Sequence, residues 1–287
     1  FKLTHRDMGP KIRYLGDDLP AETLAWQDPL PAREYDVISD RDIRKLKAAI
    51  AESVLSDTQL VSTAWASAST YRGTDMRGGA NGARIRLAPQ NQWAINNPDA
   101  LSEVISALEE VQGDFNIGLS RGKQVSLADV IVLAGNVGGE RAAEAFGVEV
   151  SIPFTPGRVD AIEGSLDDVS WSVMEPRHDG FRNYMADLGF MTPSQALIDK
   201  ADMLNLTVSE MTVLLGGMRA MNANADGSDR GVLTDRPGVL SNDFFVNLLN
   251  MNTAWGPSSE AYVFEGRDRQ SGDLKWTATE FDLVFGS

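Results

Sequence analysis

The chain has 287 residues and a formal net charge of −15, with 43% hydrophobic and 23% charged residues, so it can fill a globular core. The negative charge sets it against nucleic-acid phosphates and anionic lipid, and no run of 18 apolar residues marks a membrane helix. It has no cysteine and two histidines, His5 and His178, which excludes disulfides and thiolate chemistry and leaves little for a histidine-rich metal site or a Ser-His-Asp triad.

Residues 1–35 are rich in Pro and polar residues and read as an extended arm or linker, without an apolar leader. Ser39 and Asp42 form a capping-box pattern ahead of a helix with Ile43, Leu46, Ile50 and Val54 on one face. A second helix starts near Asp57, read as its N-cap, and carries Leu60, Val61, Ala64, Trp65 and Ala68. A third holds Leu101, Val104, Ile105, Leu108 and Val111 on one stripe and is expected to stop near Gly113. The fourth, from Ser126 to Gly135, is apolar almost all round and therefore central. A separate short helix is expected from Glu140 to Phe146, stopped by Gly147, then an irregular stretch over 148–180.

Thr192-Pro193-Ser194-Gln195 is a helix start, with Pro at the first helical position. Thr207 and Glu210 repeat the capping logic before the stripe Val208, Met211, Leu214, Leu215 and Met218. A short helix follows over 242–250, with Phe244, Phe245, Leu248 and Leu249 inward. Residues 261–264 and 274–277 flank a polar loop and predict one β-hairpin; Phe281 to Phe285 begins a further apolar turn. The fold expected is mainly α, with long loops and one small β-hairpin.

Few residues offer chemistry. Gly78-Gly79-Ala80-Asn81-Gly82 lacks the Lys-Ser/Thr of a P-loop, so a tight loop needing left-handed glycines is the plainer reading. Gly216-Gly217 late in a helix requires a close neighbour, either packed protein or a flat cofactor. The carboxylate pairs Asp17-Asp18, Glu109-Glu110 and Asp167-Asp168 lack apolar walls and read as solvated surface. His178 sits in a turn and reads as surface or structural.

Several strings together resemble one family. They are Trp65 with Tyr71-Arg72; Arg77 to Ala80; Leu87 to Trp93; Ala128 to Gly135; Pro156 to Asp160; and Gly216-Gly217. In this order they resemble the bifunctional catalase-peroxidases, over essentially the whole chain. The segment Phe1 to Pro10 looks like the piece joining that family's two tandem peroxidase-like domains. The resemblance implies a haem-peroxidase-like C-terminal domain over residues 36–287, lacking its last helices, behind an interdomain arm over 1–35.

It also implies a degenerate haem site. The family's distal helix reads Arg-x-x-Trp-His; here Trp65 remains, but Ser62 stands for the Arg and Ala66 for the His. Serine supplies no cationic fork and alanine accepts no proton. Asn91 matches the Asn that orients the missing His. On the proximal side Met218 replaces the ligating His, Leu240 replaces a Trp, and Asp282 matches the proximal Asp. Of the Met-Tyr-Trp crosslink, Trp65 and Tyr184 match, while Asn205 takes the Met position. Arg219, next to the lost ligand, is expected to point inward as a cation, which requires carboxylate or carbonyl partners.

The function so implied is a haem-free structural domain that is not catalytic alone. Its cytoplasmic, homodimeric parent would decompose hydrogen peroxide, in oxidative stress, and oxidise small donors at haem b in an N-terminal domain. This domain would support that site and the dimer, by a docking that holds the partner domain's distal helix in place. No cofactor or metal of its own, no nucleic acid and no membrane are expected. The alternatives are a weak haem-binding peroxidase with Met218 as ligand and a non-enzymatic interaction module.

Overall fold

Ser39 opens the first helix as its capping box predicts. In the computed structural model, which describes residues 16–17, 23–120 and 122–286, the Ser39 amide and hydroxyl both donate to Asp42 Oδ2, at 3.0 and 2.6 Å. His5, Asp18 and the Phe1–Pro10 segment lie outside those residues. The chain divides into two compact units, residues 1–138 with 152–175, and residues 139–151 with 176–287.

The first unit is helical. Helix α1 (Asp40–Ala51) buries Leu46 and Ile50. Val54 lies beyond its C-cap and is 96% exposed, so the helical face does not extend to it. Helix α2 (Asp57–Ala68) is capped by Ser56 and Gln59, which exchange backbone hydrogen bonds, and Asp57 is its first helical residue rather than its cap. Helix α3 (Pro98–Ile117) runs past Gly113. Its last turn is held because Asn116 both donates to Val125 O and accepts from Val125 N, at 3.0 and 2.9 Å.

Helix α4 (Leu127–Ala145) absorbs the separate helix expected over 140–146, and its last residues belong to the second unit. Gly138 does not break it; a side chain there would meet Asp57 O at 2.9 Å and Val61 Cγ2 at 3.0 Å. At Gly135 a Cβ would lie 2.5 Å from Ala64 Cβ. Glycine on α4 and alanine on α2 thus let two helices touch almost backbone to backbone. Leu60, Ile85, Leu108, Leu127 and Ile131 close the core around this contact. Burial of each such side chain contributes roughly 1.5–3 kcal/mol. A five-residue helix, α5 (Asp168–Ser172), interrupts the stretch read as irregular and brings in Trp171.

In the second unit, β1 (His178–Asp179) and β2 (Tyr184–Met185) form a two-stranded ladder around a turn. Helices α6 (Pro193–Met203) and α7 (Val208–Ala220) begin at the boxes of Thr192 with Gln195 and Thr207 with Glu210. Asn205 takes a left-handed conformation just past α6, with φ +57°, a helix-ending role. Val208, placed on the inward stripe of α7, is its first residue and is 75% exposed. Helix α8 (Asp243–Leu248) buries Phe244 and Leu248, while Leu249 falls past its end and is exposed.

The single hairpin expected near the end is two strands of a three-stranded antiparallel sheet, β3 (Thr253–Pro257), β4 (Val263–Asp268) and β5 (Leu274–Thr279), in that order. Strand β3 went unread because Gly256 and Pro257 hide it; as an edge strand it tolerates both. Its Trp255 pairs with Gly266, where a Cβ would come within 2.9 Å of the indole, so only glycine leaves the ring its place. The short helix α9 (Glu280–Leu283) follows directly and buries Phe281 and Asp282.

Candidate functional site

The residues that the resemblance marks fall into two groups, one in each unit. In the first, α2 carries Ser62 and Trp65, both half-buried, and Ala66, which is buried. The Gln90 side-chain amide donates to Ala66 O at 3.4 Å. Asn91 turns its amide nitrogen to Arg86 O at 3.2 Å, and its buried Oδ1 has no hydrogen-bond partner. None of the side chains at Ser62, Trp65, Ala66 and Asn91 is a carboxylate, amine or imidazole, so none can take up a proton as a base near neutral pH.

The glycine loop after α2 is a structural joint. Gly78, Gly79 and Gly82 all have positive φ. Gly79 N donates to Thr70 Oγ1 at 2.9 Å and Gly82 N to Val159 O at 2.8 Å, while Asn81 Oδ1 accepts from Val159 N at 3.0 Å. Amides that a phosphate cradle would aim at a ligand are thus turned to the protein itself, which supports the tight-loop reading. The Pro156–Asp160 segment is equally structural: Asp160 accepts from Leu127 N and Ala128 N, both at 2.8 Å, and so caps α4.

Beneath this loop lies a buried charged cluster that sequence reasoning missed. Arg77 forms a two-point pair with Asp28, at 2.8 and 2.9 Å, and Arg84 donates to Asp28 O at 2.8 Å. Both guanidinium groups stand over the buried Trp171 ring, at 5.9 and 5.0 Å from its centroid. Burial alone pushes both arginines down. At Arg77 the bond and charge of Asp28 more than reverse this and raise the pKa, whereas at Arg84 burial prevails and lowers it. The arm's Pro-rich composition gave no sign that Gln27 and Asp28 would be buried.

In the second unit, α7 presents Gly216, Gly217, Met218 and Arg219. A Cβ at Gly216 would lie 2.5 Å from the Phe245 ring, and one at Gly217 3.5 Å from Leu240 Cδ1. The close neighbour required by the paired glycines is therefore packed protein, as the plainer reading held. Met218 is buried, and Leu240 is half-buried with its amide donating to Ala142 O at 3.0 Å. Asp282 is fully buried and is not idle: Arg219 Nε donates to its Oδ1 at 2.7 Å. Arg219 also donates to Phe181 O, Gly180 O and Asn183 Oδ1, at 2.8, 2.7 and 2.8 Å. The inward, partnered Arg219 expected from the sequence is thus present.

Near this cluster, His178 is half-buried with Nδ1 unpartnered, and burial pushes its pKa down against the pull of Asp199. Lys200 is also buried, and desolvation lowers its pKa, opposed by Asp179. Tyr184 is half-buried, in β2. Among the described residues no group of three His, Asp or Glu side chains is arranged to hold a metal, and no helix is long and apolar enough to cross a membrane.

In the second unit α7 carries no histidine, Met218 is its one soft donor at the ligand position, and the carboxylate at Asp282 already holds a guanidinium. Among curated proteins the chain is 60% identical to the catalase-peroxidase of Bradyrhizobium sp. (strain ORS 278) and 59% to that of Hahella chejuensis (strain KCTC 2396). Each match covers 100% of this chain and 40% of the relative. It is also 60% identical to catalase-peroxidase 2 of Shewanella sp. (strain MR-7), across 100% of this chain and 39% of that protein. The chain thus spans about two fifths of the length of these relatives. A profile of the family described as peroxidase matches residues 2–287, and the chain belongs to that family.

Proposed function

We propose that this chain is a haem-free structural domain of a catalase-peroxidase, the C-terminal one, and is not a catalyst alone. What supports the reading is that the positions the resemblance assigns to the distal Arg and His and to the proximal His are Ser62, Ala66 and Met218, on helices whose cores are packed. Acid–base catalysis and preorganised electrostatics each supply orders of magnitude in rate, so a peroxide cycle without these groups would be slow. The parent would be a cytoplasmic homodimer with haem b in its other domain, decomposing hydrogen peroxide and oxidising small donors. Residues 36–287 would form the domain that docks on that haem domain and supports its site from a distance, with residues 1–35 as the joining arm.

The test is an absorbance titration of the chain with haem, followed by addition of the separately made haem domain and an assay of peroxide decay. The expected result is no saturable Soret shift, no activity alone, and a rise in activity on mixing. A saturable shift with activity in the chain alone would overturn the reading.

A further inference from the structure

Arg219 has no exposed surface, and four of its N–H groups are engaged by one carboxylate, two main-chain carbonyls and one amide oxygen. The carboxylate is equally committed. Asp282 Oδ1 takes Arg219 Nε, and Oδ2 takes the Thr279 amide at 2.7 Å. Asn183 is held in turn, since its Nδ2 donates to Arg230 O at 2.7 Å. The backbone at Gly231, with φ +74°, lies directly on the ion pair; a Cβ there would fall 2.5 Å from Asp282 Oδ2 and 2.7 Å from Arg219 Nε. Nothing about this pair is a surface accident. A fully buried guanidinium with this many partners is a built feature of the fold, because removing either partner would leave an uncompensated charge.

We propose that Arg219 is a resident cation that closes the proximal side to haem, by claiming the carboxylate of Asp282 that a metal-bound imidazole would use. Metal-ligating histidines donate their second ring N–H to a carboxylate or carbonyl, and that second partner strongly affects affinity. Here the loss of the ligand at Met218 is reinforced by an adjacent residue that binds Asp282. The degeneration is therefore locked by two residues, and restoring histidine at one position reopens the site only weakly. This inference rests on the proposed reading, in which Met218 and Asp282 stand at the ligand and carboxylate positions.

The experiment titrates haem into four versions of the 287-residue chain: unaltered, Met218→His, Met218→His with Arg219→Met, and Met218→His with Arg219→Gln. Circular dichroism checks folding, and absorbance reads ligation. The expected result is no saturable binding to the unaltered chain, weak binding to Met218→His, and binding at least tenfold tighter once Arg219 is also replaced. The glutamine version serves where the methionine version does not fold, since its neutral amide can donate to the freed carbonyl oxygens without placing a cation on Asp282. Saturable binding by the unaltered chain would overturn the haem-free reading. Binding by Met218→His as tight as by the double variants, with none by the unaltered chain, would overturn the role of Arg219 and leave that reading intact.

Discussion

Replacing Gly78 by alanine tests whether the glycine loop is a joint in the fold. An ideal Cβ at Gly78 lies 2.1 Å from Thr70 O, 2.5 Å from Thr70 C and 2.9 Å from Met174 Cε. Two of these atoms are main chain, so no rotamer change relieves the contact. Its φ of +76° adds a conformational cost of about 1–2 kcal/mol for alanine. Forced movement of packed atoms costs about 1–3 kcal/mol more, for a total of about 2–5 kcal/mol. Gly79 is an internal control. Its φ is +86°, but its Cβ would meet only Tyr71 carbons at 3.7 Å, an ordinary contact. Gly79→Ala should therefore cost only the conformational part, about 1–2 kcal/mol. In a unit of this size each kcal/mol lowers the melting midpoint by about 2–4 °C. Thermal unfolding followed by calorimetry should place Gly78→Ala well below Gly79→Ala in the transition of the first unit. Equal midpoints for the two variants would refute the packing argument.

Asp28→Ala should destabilise the first unit by about 3–5 kcal/mol in urea unfolding, because it strands the buried Arg77. Removing Glu265 from its exposed pair with Arg267 should change stability by about 1 kcal/mol at most. Asp160→Ala should cost about 0.5–2 kcal/mol in the same assay by uncapping α4, and Asp160→Asn should recover part of that loss. For His178 the folded pKa is depressed, so the unfolded chain takes up the proton first as pH falls. Its stabilising contribution is complete above about pH 6.5 and is lost as pH drops from there towards the lower folded value. Denaturation at pH 7.5 and 5.5 should show the second unit weakening, and His178→Gln should flatten that slope.

How much of this was legible in the sequence depends on the range of the interaction. Capping boxes are local, and Ser39, Thr192 and Thr207 marked their helices correctly. At α2 the signal was displaced by one residue, because Ser56 and Asp57 are both good caps and only Gln59 decides between them. Helix ends at glycine were misjudged where a distant contact overrides propensity. Gly138 belongs inside α4 because α2 presses on it, which no window along α4 can reveal. Strand β3 is masked by its own Gly256 and Pro257, and the room for its Trp255 comes from Gly266 on another strand. At the candidate site the residue identities were readable, and so was the demand that Arg219 find partners. That its partner is Asp282 depends on a contact 63 positions away in sequence.

The first unit is not continuous along the chain: residues 152–175 return to it after an excursion. That has a consequence for a chain emerging from the ribosome. Arg77 and Arg84 are made early, but the indole they enclose comes only with Trp171. At roughly 5–20 residues per second, the arginines wait about 4–19 s for it. During that interval the glycine loop has its own backbone geometry but no floor, while Asp28, the carboxylate paired with Arg77, is already synthesised. The early Asp28–Arg77 pair would then hold the nascent loop in register until the ring arrives to seal it.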